Sequence, residues 1–214
     1  MAAASSRSAA AADKRRQILD AAIRVFARQG FHACRVSDVA DEAGVAYGLV
    51  YHYFQSKEEI MGTLFTERWQ IMLDAIVEID QEQHVPARDK LYKVASFIID
   101  SYRHEPDLMK VIIVEVTRAA NSFGRAHLPK IREAYGMIGQ IVERAQRDGT
   151  FKRDISPDFA ALCFYGAIEQ LLSAWIFDLL PHTEQDFERA KSQVVEAICD
   201  GLENPSAREA AVSS

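Results

Sequence analysis

The sequence predicts an all-α protein of about nine helices. Three observations carry that reading. Apolar residues recur at three- and four-residue intervals through most of the chain, the repeat of one buried helix face. Pro86, Pro106, Pro129 and Pro157 each stand where a first helical turn tolerates proline. No alternating apolar and polar segment bounded by turn residues competes as a strand. The stretch from Val111 to Val116 is apolar and β-branched, but it sits inside a longer helical pattern.

Taken in order, Met1 to Ala12 is Ala/Ser-rich, with Arg7 and no apolar stretch of signal-peptide kind. It reads as a disordered arm over residues 1–13. Ile18, Leu19, Ala22, Ile23 and Phe26 then share one helix face, closed by Gly30. Val36, Val39, Ala40 and Ala43 form a short second helix stopped by Gly44, and a third runs over about 46–54. Ser56 has Glu59 three residues on, the capping-box spacing, so a fourth helix opens there and runs to about Asp80. Further helices are expected over about 87–104, 106–120, 129–148, 157–180 and 184–202, with breaks at Asp148-Gly149 and from Asp178 to Pro181. The domain reading is an arm (1–13), a helix-turn-helix domain (14–61), a ligand-binding and dimerisation domain (62–203) and a flexible tail (204–214).

Composition narrows the class. The 214 residues are 49% apolar and 26% charged, which argues against a disordered or fibrous chain. A chain this long buries roughly 70% of its unfolded surface, so it needs neither metal nor disulfides to fold. Cys34, Cys163 and Cys199 are far apart, odd in number and without ligand spacing, which points to a reducing cytoplasm and no metal. No uninterrupted apolar run approaches the ~20 residues of a membrane span, so no membrane partner is expected. The net charge of −6 is uneven: residues 1–56 hold seven Lys/Arg against five Asp/Glu, while the remainder holds 18 against 26. A polyanion partner is therefore placed at the N-terminal end.

The stretch from Val36 to Phe54 gives that charge a motif. Ala40 is small where one helix approaches another's backbone, and Gly44 supplies a left-handed turn. Val39, Ala43, Val45 and Val50 fill the wedge between the helices. This is helix-turn-helix spacing, with the second helix offered to the DNA major groove. A helical hairpin inside an ordinary core fits the turn alone equally well.

The flanking residues decide between them. Ile18, Ala21-Ala22, Phe26, Gly30-Phe31, Val39-Ala40, Ala43-Gly44-Val45, Gly48, Tyr51, Tyr53-Phe54 and Lys57-Glu58-Glu59 together resemble the DNA-binding domain of TetR-family transcriptional regulators, without a gap over about 14–62. The resemblance implies a homodimer that binds a near-palindromic operator on double-stranded DNA and is released by a small-molecule effector. It carries Ala46, Tyr47, Gly48, Tyr51 and His52 of the recognition helix to base-edge and phosphate contacts. Tyr53 and Lys57 match contacts to the DNA backbone. Arg35 departs from the family pattern, which often has a capping Thr there. Either the cap moves to Ser37 or Arg35 exchanges a cap for a phosphate contact. Tyr51 fits a core role as well as a DNA role, and Lys14, Arg15 and Arg16 fit phosphate contacts or a solvated face. The recognition helix has no Arg, Lys, Asn or Gln, so base reading rests on Tyr47, His52 and apolar contact, assisted by DNA shape.

Beyond residue 62, the helix from Phe164 to Ile176 is apolar nearly all round, which means deep burial or pairing with another subunit. Phe164, Gly166, Ala167 and Leu171, with Val194 and Ile198 of the last helix, are the expected dimer face. Pocket candidates are Trp69, Phe97, Tyr102, Met109, Ile113, Phe123, Tyr135 and Trp175. Arg118, Arg125, Lys130 and Arg132 lie in a stretch without acids. If Pro129 begins a helix, Lys130 and Arg132 crowd its positive end, and a bound anion would reconcile this; a solvated loop is the alternative. The segment from Arg118 to Phe177 also resembles TetR-family regulators of fatty-acid degradation, which respond to acyl-CoA. It does so through Leu128, Lys130-Ile131, Asp148-Gly149, Phe151 and the helix from Gly166 to Trp175. Long-chain acyl-CoA is therefore the expected effector, with lipophilic drugs and other metabolites as rivals. No cofactor is expected. An enzyme or a helical binding protein without DNA function is the reading from another class. It finds no metal spacing among the six histidines and no Gly-rich phosphate loop.

Overall fold

The structure, a computed structural model, describes residues 2–114 and 122–203, with side chains described over 9–114 and 125–203. Nine helices occur among the described residues: α1 (Ala2–Gln29), α2 (Val36–Ala43), α3 (Tyr47–Tyr53), α4 (Lys57–Gln81), α5 (Ala87–His104), α6 (Pro106–Ile112), α7 (Ser122–Arg147), α8 (Pro157–Ile176) and α9 (Glu184–Leu202). The described residues include no strand beyond an isolated bridge between Phe151 and Glu203. The all-α expectation holds.

Two compact units divide the chain, Met1–Arg68 with Glu105–Arg125, and Trp69–His104 with Ala126–Ser214. The division differs from the expected boundary at 61/62. Helix α4 is continuous through that point, and α6 packs on α1 within the first unit.

In the first unit, Ile18, Ala21, Ala22, Val25 and Phe26 bury the inner face of α1. Gly30 ends the helix at φ 80°, its N–H donating to the Phe26 carbonyl at 2.9 Å. Residues 2–13, expected as a disordered arm, are helical and continuous with α1. Seven of those twelve residues are alanine, the strongest helix former. Val39, Ala40 and Ala43 of α2 turn inward. Gly44 sits at φ 62°, and it and Val45 return hydrogen bonds to Asp41 and Ala40. Only a glycine takes that left-handed turn without strain.

In the second unit, α5 buries Leu91, Val94, Ala95, Ile98, Ile99 and Tyr102 and packs on α8 and α9. Lys191 is buried at that seam, paired with Asp100 at 2.8 Å and Glu188 at 2.5 Å. Burial works to lower its pKa, but the hydrogen bonds to the two carboxylates outweigh that and raise it. Ser156 and Thr183 cap α8 and α9 by accepting the Phe159 and Asp186 N–H groups.

Two helix boundaries differ from expectation. Helix α7 starts at Ser122, so Pro129 lies inside it and Lys130 and Arg132 are not at a helix start. The positive-end argument for an anion at those two residues therefore fails. Helix α8 stops at Ile176 rather than about 180, where Asp178 adopts φ 55°. The end expected for the sixth helix, near 120, lies outside the described residues. Among the described residues, α8 is by length and composition long and apolar enough to cross a membrane, a test that the core helix of a soluble protein also passes. Its buried face, Ile168, Leu172 and Trp175 among others, is core of the second unit.

Candidate nucleic-acid interface and effector region

Helix α3 has two faces because its residues alternate with the helical period. Val50 is fully buried and Phe54 nearly so, while Ala46, Tyr47, Gly48, Tyr51 and His52 are exposed. Tyr47 is 53% exposed and Tyr51 44%, so Tyr51 is not a core residue. The Tyr47 and Tyr51 hydroxyls share a hydrogen bond at 3.2 Å, and the rings meet edge to face at 5.0 Å. That hydrogen bond, with smaller help from desolvation, raises the Tyr51 pKa. His52 stands edge-on to the half-buried Tyr53, 5.2 Å between centroids.

The start of α2 resolves the Arg35 question. Arg35 is the N-cap residue, and its side chain makes no cap hydrogen bond. An arginine has no acceptor to offer. Instead the Asp38 carboxylate reaches back and accepts the Arg35 N–H at 2.7 Å, placing an acid where the helix dipole favours one. Ser37 does not take over as the N-cap and lies half-buried in the first turn, while the Arg35 side chain is exposed. At α4 the expected cap is present: Ser56 Oγ accepts the Glu59 N–H at 3.2 Å, and Glu59 accepts the Gln55 N–H at 2.6 Å.

Several cations of this unit are held within it. Arg15 pairs with Glu67 at 2.9 Å and lies over the Phe54 ring. Arg24 and Arg28 both hold Glu42, at 2.7 and 3.0 Å, and their hydrogen bonds lower the Glu42 pKa. Gln17 Nε2 donates to the Ala43 carbonyl at 2.6 Å, fixing α2 to α1. Lys57, matched by resemblance to a phosphate contact, turns its ammonium to the Phe31, His32 and Cys34 carbonyls. Arg16 and Arg35 are exposed and carry no ion pair among the described residues.

The expected effector residues are divided between the two units. Met109 and Ile113 are buried in the first unit, to which the exposed Arg125 also belongs. The Phe123 side chain and all of Arg118 lie outside the described residues. In the second unit, Trp69 and Tyr135 gather around Tyr165, with centroids 6.3 and 5.1 Å from its ring. Trp69 Nε1 donates to the Lys130 carbonyl at 2.9 Å. Burial first, and Glu169 second, push both tyrosine pKa values up. Tyr102 and Trp175 belong to a separate cluster with Phe187 and His182. Phe97 and Lys130 are half-buried, and Arg132 is exposed. Sequence reasoning missed Tyr165, whose signal was its place one turn from Glu169 on the apolar helix.

The expected dimer residues separate as cleanly. Ala167, Leu171, Val194 and Ile198 line an apolar groove of about 380 Å³ between α8 and α9, together with Gln170, Ala174, Ala190, Gln193 and Ala197. Gly166 is exposed, and an added Cβ there would meet nothing within 4 Å. Phe164 is corrected: at 1% exposure it is core and cannot belong to an outer face. The exposed Phe159, Leu162 and Phe177 extend the α8 stripe. Their spacing of three, four and eleven residues around Gly166 was the signal missed.

A helix-turn-helix unit with an aromatic outer face, followed by an all-helical unit, defines a DNA-binding regulator with a separate regulatory part. Residues 18–64 match bacterial regulatory proteins of the tetR family, and residues 88–198 match a tetracyclin repressor-like C-terminal domain. The chain belongs to the TetR family. The fatty acid metabolism regulator protein of Bacillus subtilis (strain 168) is 28% identical over 189 residues, 88% of this chain and 95% of its own. The crystal structure of FadR from Bacillus subtilis in complex with stearoyl-CoA matches with a TM-score of 0.76 at 26% identity, covering 87% of this chain and 98% of that one. FadR from Bacillus halodurans, a fatty acid degradation regulator, shares the fold with a TM-score of 0.78 at 23% identity, over 88% and 95% of the two chains. These relatives are regulators, not enzymes. The chain is a ligand-responsive transcriptional regulator with a helix-turn-helix DNA-binding domain.

Proposed function

We propose that the protein is a repressor that holds a near-palindromic operator as a homodimer and releases it on binding long-chain acyl-CoA. The observation that carries the effector is the likeness, along 87% of the chain, to a FadR that holds stearoyl-CoA. The aromatic group of Trp69, Tyr135 and Tyr165 supports it as an apolar wall for an acyl chain. Lys130 and Arg132, in the same unit, support it as cations with no ion pair among the described residues. Tyr47, Gly48 and His52 face the operator in this reading, and α8 with α9 pairs the subunits. Action on chromosomal DNA places the protein in the cytoplasm.

An effector shifts a protein off DNA only by the difference in its affinity for the two states. Each buried methylene contributes about 0.8 kcal/mol, so the chain and not the nucleotide dominates binding. Fluorescence anisotropy on a duplex from upstream of the protein's own gene tests this. Stearoyl-CoA is expected to release the duplex at low micromolar concentration and free CoA to leave it bound. Release by a neutral lipophile with none by stearoyl-CoA would overturn the assignment.

A further inference from the structure

We infer that Lys57 is a positioning residue for DNA binding, a three-way clamp on the turn that starts α2, and not a ligand of phosphate. The inference rests on the DNA-binding reading of the first unit. A lysine ammonium carries three N–H donors and no acceptor. Lys57 Nζ lies 2.8 Å from the Phe31 carbonyl oxygen, 3.2 Å from that of His32 and 3.0 Å from that of Cys34. It also stands 4.8 Å from the centroid of the Phe31 ring, within cation–π range. All three donors are consumed, and a phosphate could take one only by displacing a carbonyl.

The placement explains an otherwise unfavourable residue. Lys57 is the first residue of α4, where the helix dipole disfavours a cation. Three carbonyl dipoles turned toward the ammonium offset that. The same three peptides join Gly30, which ends α1, to Arg35, the N-cap of α2. The clamp therefore fixes how α2 leaves α1, and through the Gly44 turn it sets the direction in which α3 presents Tyr47 and His52. Cys34 adds a second donor to the Phe31 carbonyl, its Sγ at 3.2 Å. This seat is built from one helix and one turn of the same unit.

Lys57→Met keeps most of the side chain and removes the donors. Two measurements on the full-length protein separate positioning from phosphate contact. In the free protein, amide hydrogen exchange at Arg35 and Asp38 is expected to quicken about tenfold, with the α5–α9 seam unchanged. On operator DNA, affinity is expected to fall about tenfold while the slope of log affinity against log salt stays that of the wild type. Each lost phosphate contact would instead lower that slope by about 0.9. Lys57→Arg, which keeps charged donors, is expected to recover most of both losses. Unchanged exchange overturns the clamp, with or without DNA, as does a reduced salt slope. If the wild type bound no duplex, the DNA reading would fail while exchange still decided the clamp. Should Lys57→Met fail to fold, Lys57→Gln, with two donors in place of three, is expected to show a smaller exchange effect in the same direction.

Discussion

Gly48 lies exposed on α3, and a Cβ there would meet nothing within 4 Å. Glycine inside a helix costs about 0.5–1 kcal/mol relative to alanine. Space inside the unit therefore gives no reason for glycine, whereas close approach of a DNA backbone does. Gly48→Ala is expected to raise the melting temperature of the free protein while weakening operator binding, seen by calorimetry and anisotropy together. Binding as tight as wild type would remove Gly48 from the interface. The outward set of α3 was legible because Val50 and Phe54 fix the inner face and the helical period fixes the rest. The fate of the cations was not. Arg15 finds Glu67, 52 residues away, and Lys57 finds carbonyls 23 to 26 residues away. A charge count cannot separate cations that brace a unit from cations that face a partner.

At the scale of elements, the Ser56–Glu59 capping spacing and Pro157 at a first turn located the starts of α4 and α8 to within a residue or two, because both act locally. Proline misled at α7. Pro129 has no N–H and leaves one carbonyl without its helical donor, yet the helix runs through it. The buried face at Ile131, Ala134, Ile138, Ile141, Val142 and Ala145 outweighs that local loss. The α7–α8 connection was legible as a break at Asp148-Gly149, with Gly149 at φ 88°, but what orders it was hidden. Gln146 is buried, and its Nε2 donates to the Lys152 and Ile155 carbonyls at 2.6 and 2.7 Å. Gln146→Leu keeps the bulk but strands two acceptors, each costing about 1–3 kcal/mol when buried. The expected result is a lower midpoint in urea, with faster amide exchange confined to about 148–156. An unchanged midpoint would mean that water replaces the amide.

For the whole molecule, α8 poses a question that one chain leaves open: it is apolar on two faces, and only one is core. Phe164, Ile168, Leu172 and Trp175 are the inner face, while Phe159, Leu162, Gly166 and Leu171 turn outward or line the groove with α9. The sequence marked the helix as apolar all round but could not sort Phe164 from Leu171. The angular difference between them is set by which residues α5 and α9 cover. Two substitutions separate the faces. Phe164→Ala opens a cavity in the core, which costs about 3–5 kcal/mol for a buried phenylalanine. It is expected to lower thermal stability while leaving a dimer in analytical ultracentrifugation. Leu171→Asp places a charge in a groove that pairing would make dry, a penalty of several kcal/mol when no partner is present. It is expected to leave each chain folded, by circular dichroism, and to give monomers with far weaker operator affinity, since a dimer contacts two half-sites and a monomer only one. A Leu171→Asp protein that stays dimeric and binds operator as the wild type does would place the pairing surface elsewhere. The outward stripe of α8 would then need another occupant.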